Sequence, residues 1–196
     1  MGHALSACRW LLPLDGSALP DVSLVGGKAW SIAHMQSLGL PVPPAFVVTT
    51  DACKAFLREG HLPAGLETEL ASAMDWLEEA SGRTYGGGKS PLLVSVRSGA
   101  PVSMPGMMDT VLNLGISAET MEALAQESGD PSFARDTYRQ FLEVFGEVVL
   151  KVSVPELGDQ NFDDWRVQIE RGATRSTPQT PIAQLTATVE AVFKSW

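Results

Sequence analysis

The chain has 196 residues, a formal net charge of -9 and 44% hydrophobic residues. This length suits one well-buried domain, or one domain with an appendage, and the hydrophobic share is typical of a globular rather than a disordered protein. An acidic surface repels nucleic acid and anionic lipid, so neither is expected as a partner. No apolar run approaches the roughly 20 residues of a membrane-spanning helix, and no signal peptide is recognisable, so we expect a cytoplasmic protein.

The first predicted helix lies within residues 24–39 and follows a glycine pair. Apolar residues recur at helical spacing through this stretch, and Gly39 is typical of a helix C-terminus. Gly26 and Gly27 stand where the helix begins, with Lys28 in its first turn. Backbone N–H groups, the helix dipole and a lysine together favour phosphate. The same pattern fits an ordinary helix start with a solvent-exposed lysine, and the spacing is not that of a Walker A loop.

Residues 41–82 predict a strand followed by two helices. Three prolines in 41–44 exclude a helix there, and Ala45–Thr49 is predicted to be a strand. Thr49 or Thr50 would cap the next helix, which ends at Gly60. Residues 63–82 predict a second helix whose apolar stripe faces the core: Leu66, Leu70, Met74 and Leu77.

An arginine directly follows the next predicted strand. Leu92–Val96 is an apolar run typical of a buried strand, and Arg97 comes after it. The planar guanidinium suits two phosphate oxygens, and it equally suits a structural ion pair with one of the 23 acidic residues. Residues 110–115 predict an antiparallel partner for this strand.

The loop between these two strands is rich in glycine, proline and methionine. Gly106 follows a proline and places a backbone turn near Arg97, where its amides or carbonyls could contact a ligand. Met107 and Met108 have polarizable thioethers that pack well on a flat adenine ring. The alternative is a tight hairpin loop with two core methionines.

Beyond residue 115 the chain is predicted to be mainly helical. The helices lie within 117–129, 130–150 and 181–196, the second capped by Asp130. Helices and strands do not alternate regularly, which predicts an α+β fold with a small, largely antiparallel sheet. We expect Phe193 and Trp196 to be exposed, which would favour self-association.

The cysteines and histidines do not have the spacing of a metal site. Cys8 and Cys53 lack a C-x-x-C pattern, and the three histidines are scattered. We therefore expect no metal ligands in this chain.

Three stretches together resemble the N-terminal nucleotide-binding region of pyruvate phosphate dikinases. They are VGGKAWSIAHMQSLGLPVPPAFVVTT at 25–50, PLLVSVRSGAPVSMPGMMDTVLNLG at 91–115 and FGEVV at 145–149. Phosphoenolpyruvate synthases share the Gly-Gly-Lys and Ser-Val-Arg-Ser elements, but the loop SMPGMMDT favours the dikinases. The resemblance covers residues 22–150, while 151–180 shows none.

The resemblance implies the first subdomain of an ATP-grasp domain. Residues 1–21 would be an N-terminal extension, 22–150 the subdomain, and 151–196 a divergent helical segment leading to a second subdomain. By motif, Lys28 and Arg97 would be the catalytic residues, binding the ATP phosphates and stabilising charge on the transferred group, and Gly106 and Met108 would line the nucleotide pocket.

The family reaction converts ATP, phosphate and pyruvate into AMP, diphosphate and phosphoenolpyruvate. The Mg²⁺ ligands would lie in the second subdomain, and the phosphohistidine and pyruvate sites in further domains, so the expected partners are ATP and these remaining parts. None of the three histidines has the motif of the family's phosphorylated histidine. We therefore expect this chain to be inactive on its own.

Two other interpretations remain open. The chain could be a fragment of a phosphoenolpyruvate synthase-like enzyme. It could also be a free-standing module that binds nucleotide, or regulates a full-length dikinase, without catalysis. The coding sequence beyond Trp196 would separate a fragment from a free-standing protein.

Overall fold

The computed structural model describes residues 8–98, 110–151, 178 and 180–195. Within them the fold is α+β, as predicted, and the chain divides into two compact units. The first unit contains the described residues up to Gly82, together with Ser98 and 193–195. The second contains Arg83–Arg97 and the described residues from 110 to 192.

The described strands and helices follow one another along the chain. The strands are β1 (Leu11–Leu14), β2 (Ala45–Val48), β3 (Thr84–Tyr85), β4 (Pro91–Leu92), β5 (Val94–Arg97) and β6 (Thr110–Leu114). The helices are α1 (Val22–Ser37), α2 (Thr50–Glu59), α3 (Leu66–Ser81), α4 (Ala118–Ser128), α5 (Pro131–Val148) and α6 (Pro181–Lys194).

The first unit contains an antiparallel strand pair that begins close to the N-terminus. β1 pairs with β2 in the register Leu11↔Val48 to Leu14↔Ala45. The Trp10 N–H donates to Glu69 Oε2 over 2.8 Å, and its indole Nε1 donates to the Ala64 carbonyl over 3.1 Å. β1 therefore packs in the same unit as α1–α3, although the sequence suggested only an extension here. The domain division at residue 22 stays a prediction.

Helices α2 and α3 form as predicted and supply much of the first unit's core. Thr49 is the N-cap of α2, and Gly60 ends that helix in a left-handed conformation. The predicted stripe of α3 is buried along its length: Leu66, Leu70, Met74 and Leu77.

The expectation that Phe193 is exposed is wrong. Its side chain is 6% exposed and packs on Phe56 of α2, with ring centroids 5.5 Å apart. An aromatic near the end of the chain is thus part of the first unit's core. Phe193 therefore gives no support to the predicted self-association, and Trp196 lies outside the described residues.

The second unit contains the predicted antiparallel pair. β5 and β6 pair with Val96 opposite Val111 and Arg97 opposite Thr110. The strand is less buried than its apolar sequence suggested, because Val94 and Val96 are half-buried while Ser95 and Arg97 are exposed. In a two-stranded pair only one face packs on the core, so burial alternates along the strand.

Tyr85 and Arg83 contact residues that flank this strand pair in sequence. Gly115, which follows β6 with φ +97°, lies so close to Tyr85 that an added Cβ would be 2.8 Å from the ring and 2.7 Å from the Leu92 carbonyl oxygen. Tyr85 donates its hydroxyl to the Pro181 carbonyl over 3.1 Å. Arg83 donates to Glu127 Oε1 over 2.6 Å and to the Pro91 carbonyl over 3.0 Å.

Helices α4 and α5 complete the second unit. Asp130 accepts the N–H groups of Ser132 and Phe133, which makes it the predicted N-cap of α5. The apolar face of α5 buries Tyr138, Phe141, Leu142 and Phe145. Phe133, in the first turn of the same helix, is 51% exposed.

We predict that Gly115→Ala destabilises the protein more than Gly129→Ala. Both glycines have positive φ, +97° and +69°, but a Cβ at Gly129 would meet nothing within 4 Å. Backbone strain alone costs about 1–2 kcal/mol, and the clash at Gly115 adds about 1–3 kcal/mol. Urea unfolding of the two variants measures the difference. Equal loss in both would show that Tyr85 and Leu92 move aside without cost.

Candidate functional site

The glycine pair lies at a break inside α1. Gly26 has φ 79° and ψ 163°, a backbone conformation essentially restricted to glycine, so a short helical turn, Val22–Val25, precedes the helix that starts again at Gly27. This confirms the prediction that a helix begins at the glycine pair. The preceding turn was not predicted. Its sequence signal is Asp21, a favourable N-cap residue whose carboxylate accepts the Ser23 N–H over 2.8 Å.

The restart of the helix creates a local positive end. The first N–H groups of any helix have no acceptor in a preceding helical turn, and the helix dipole adds to their positive potential. Gly27 is exposed, and a Cβ there would meet nothing within 4 Å, so the backbone is open to solvent at this point. Gly26 and Val25, by contrast, are buried, so the break itself packs into the interior of the unit.

Lys28 follows immediately in the first turn of the restarted helix. The residue is exposed, and its Nζ donates to the Ser98 carbonyl oxygen over 3.2 Å. Ser98 itself is only 4% exposed. The ammonium is therefore positioned by a backbone carbonyl near the start of the helix. The sequence does not identify Ser98 as the partner of Lys28, because the two residues are 70 positions apart.

Arg97 is the last residue of β5 and belongs to the second unit. It is exposed, and its backbone is opposite Thr110 in the strand pair. Within 8–98, 110–151 and 180–195, no carboxylate lies within ion-pair distance of its guanidinium. This part of the chain thus gives no support to the structural ion pair that the sequence left open as the alternative.

The remaining predicted site residues, Gly106 and Met108, lie outside the described residues. Lys28 belongs to the first unit and Arg97 to the second, and each is described within its own unit. The assignment of all four residues to a nucleotide site therefore stays a prediction.

The described residues do not supply a metal site or a reactive thiol. Among them, no group of three or more histidine, cysteine, aspartate or glutamate side chains could hold a metal ion. Neither cysteine forms a disulfide, and burial raises the pKa of the Cys53 thiol, which disfavours the nucleophilic thiolate. Nor does any helix in this part of the chain have the length and apolar character needed to cross a membrane.

Comparison with known proteins shows that part of this chain is similar to a family of AMP/ATP-binding domains. Residues 22–85, which contain the helix break and Lys28, match the family described as "Pyruvate phosphate dikinase, AMP/ATP-binding domain". The chain is 40% identical over 196 residues to a pyruvate, phosphate dikinase of Giardia intestinalis, covering 88% of this chain and 22% of that protein. It is 36% identical over 213 residues to the dikinase of Clostridium symbiosum, covering 96% and 24%.

A third relative has a higher identity over a shorter alignment. Over 130 residues the chain is 52% identical to the chloroplastic pyruvate, phosphate dikinase 1 of Zea mays, covering 66% of this chain and 14% of that protein. The chain is thus similar to one part of several pyruvate phosphate dikinases, and residues 22–85 match a family of AMP/ATP-binding domains of these enzymes. It spans less than a quarter of the length of these curated relatives.

We predict opposite effects on stability for alanine at the two adjacent glycines. Gly26→Ala forces a side chain into a glycine-only conformation and should cost about 1–3 kcal/mol of unfolding free energy. Gly27→Ala is a matched control: it adds a Cβ in open space at a helix start and should be neutral or stabilise by up to about 1 kcal/mol. Thermal unfolding of both variants tests this. A stable Gly26→Ala protein would mean that the break is not needed for folding.

Proposed function

We propose that this chain binds ATP as the nucleotide-binding part of a pyruvate phosphate dikinase-like phosphotransferase. The observation that carries the proposal is the position of Lys28. It follows a glycine-only break in α1, at a restarted helix, inside the stretch that matches a family AMP/ATP-binding domain. In this proposal Lys28 and Arg97 bind phosphate oxygens of ATP and stabilise the charge that develops on the transferred phosphoryl group.

The contacts of Lys28 suit this role. A phosphate oxygen is a stronger acceptor than the Ser98 carbonyl, because charge-assisted hydrogen bonds are about twice as strong as neutral ones. The ammonium is already oriented by the carbonyl, so less side-chain freedom is lost when a phosphate arrives. The N–H groups at the restarted helix add donors that point in the direction of the helix axis.

Arg97 suits phosphate for a different reason. Its guanidinium is exposed at the end of a strand, and its planar fork can donate to two oxygens at once. We propose that Gly106 and Met108, in the loop that follows, line the base-binding part of the pocket, as the sequence resemblance implies. Their support comes from the sequence alone.

The complete reaction belongs to the proposal as well. We propose an ATP-grasp architecture in which a second subdomain supplies the Mg²⁺ ligands, since the described residues provide no cluster that could hold the ion. Formation of AMP, diphosphate and phosphoenolpyruvate from ATP, phosphate and pyruvate would then need the parts of the relatives that this chain does not span. The cytoplasmic location inferred from the sequence is retained in this proposal.

Binding by this chain alone should be weak. Each charge-assisted hydrogen bond contributes about 1.5–3 kcal/mol. Two such residues with partial burial of the base, and without a metal bridge, give a binding free energy of about -4 kcal/mol. This corresponds to a Kd of roughly 1 mM.

We predict that Arg97→Ala and Lys28→Ala each weaken ATP binding at least about tenfold, because each removes a charged donor to phosphate. The measurement is an NMR titration of the labelled 196-residue chain with ATP, following the backbone amides of Lys28, Ser98, Gly106 and Met108.

Two surface cations serve as matched controls for this experiment. Arg135→Ala on α5 and Lys54→Ala on α2 remove an exposed positive charge of the same kind. Both should leave the Kd within about twofold of the wild-type value, since neither residue is placed at the site. If all four variants lose affinity equally, ATP responds only to net charge and the proposed site is wrong.

A further inference from the structure

We propose that Thr50 is a positioning residue for Lys28. Its hydroxyl donates to the Ser23 carbonyl oxygen over 2.9 Å, from the first turn of α2 to the short turn that precedes the break in α1. That this contact matters for ATP binding rests on the proposed function. That it affects the conformation of the break at Gly26 is independent of the proposed function.

A break at glycine needs external support. Glycine has the widest range of backbone conformations of any residue. At Gly26 the helix geometry therefore does not fix the relative orientation of the two helical pieces that it joins. The piece that starts at Gly27 is tied elsewhere, because Gln36 donates to the Leu14 carbonyl over 2.8 Å and Ala33 is buried. The piece before Gly26 is only one turn long, so its own hydrogen bonds hold it weakly.

Three contacts hold this short turn. Asp21 caps its N-terminus, the Val25 side chain is buried with 3% exposure, and the Thr50 hydroxyl donates a hydrogen bond to the Ser23 carbonyl. The Asp21 cap bonds to a residue of the turn itself, so it does not determine how the turn is oriented relative to the rest of the unit. The Thr50 hydroxyl is a polar contact that ties the turn to another helix, so it fixes the direction in which the chain enters Gly26.

The backbone next to Thr50 is held by contacts with the core of the unit. The neighbouring Thr49 is 2% exposed, and its N–H donates to the Trp10 carbonyl over 2.9 Å. Trp10 is in turn held by Glu69 of α3. The chain of contacts therefore runs from the core of the unit through Thr49 and Thr50 to Ser23, in the turn that precedes Gly26 and Lys28 in sequence.

Losing the hydroxyl should change the site more than the stability. The Thr50–Ser23 contact is exposed, so water can replace it at the Ser23 carbonyl without leaving a buried unsatisfied group. The turn would then sample other orientations, and the amides of Gly26 and Gly27, where the turn joins the restarted helix, would change their surroundings with it. A residue with only a structural role would lower the melting temperature and leave these local signals unchanged.

The test compares three variants of the full chain. Thr50→Val keeps the shape and removes the hydroxyl, Thr50→Ser restores a hydroxyl, and Thr186→Val is the matched control. Thr186 also donates its hydroxyl to a backbone carbonyl over 2.9 Å, that of Ile182 within α6. Amide shifts of Gly26 and Gly27 are recorded without nucleotide, and the Kd for ATP is measured by titration.

We expect Thr50→Val to shift both glycine amides and to raise the Kd roughly fivefold, the effect of one modest hydrogen bond. Thr50→Ser and Thr186→Val should show unchanged glycine signals and a Kd within about twofold of wild type.

Two results would overturn the positioning role. One is glycine amides that stay unchanged in Thr50→Val, or move equally in Thr50→Ser. The other is an unchanged Kd in Thr50→Val while Lys28→Ala weakens binding. If Lys28→Ala has no effect on the Kd, the proposed function fails instead, and the glycine signals alone decide whether Thr50 orients the break.

Discussion

The backbone conformation of Gly26 is the constraint on which the candidate site depends. Its dihedral angles are accessible essentially to glycine alone, and they end one helical turn and start another in the middle of α1. The helix start at Gly27, the exposure of its backbone and the placement of Lys28 in the first turn all follow from this break. An unbroken α1 would satisfy these N–H groups internally and remove the positive end of the helix.

The surrounding structure serves to keep this break in one arrangement. The burial of Val25, the Asp21 cap and the Thr50 hydroxyl act on the preceding turn, while the Ser98 carbonyl orients the lysine. In the second unit Tyr85 lies against Gly115 and Arg83 donates to the Pro91 carbonyl, at residues that flank the strand pair containing Arg97. Each predicted phosphate-binding cation is thus carried by an element that is anchored within its own unit.

The sequence predicted elements with strong local signals and missed contacts between distant residues. The caps of α2 and α5 were predictable, because Thr49, Gly60 and Asp130 act on their immediate neighbours. The pairing of β5 with β6 was predictable as well, because the two strands follow each other in sequence. The packing of Phe193 on Phe56 and the pairing of β1 with β2 were not, since they depend on tertiary contacts that no periodicity encodes. Of the site, the helix start at Lys28 was predicted, whereas its partner Ser98 was not.

The most direct measurement compares ATP with adenosine in NMR titrations of the same labelled chain. If Lys28 and the restarted helix bind phosphate, ATP should move the Gly27 and Lys28 amides, the effect should weaken as salt is added, and adenosine should leave both amides unchanged. Equal movement of these two amides by adenosine and ATP, insensitive to salt, would contradict the account, because the helix start would then respond to the base rather than to phosphate.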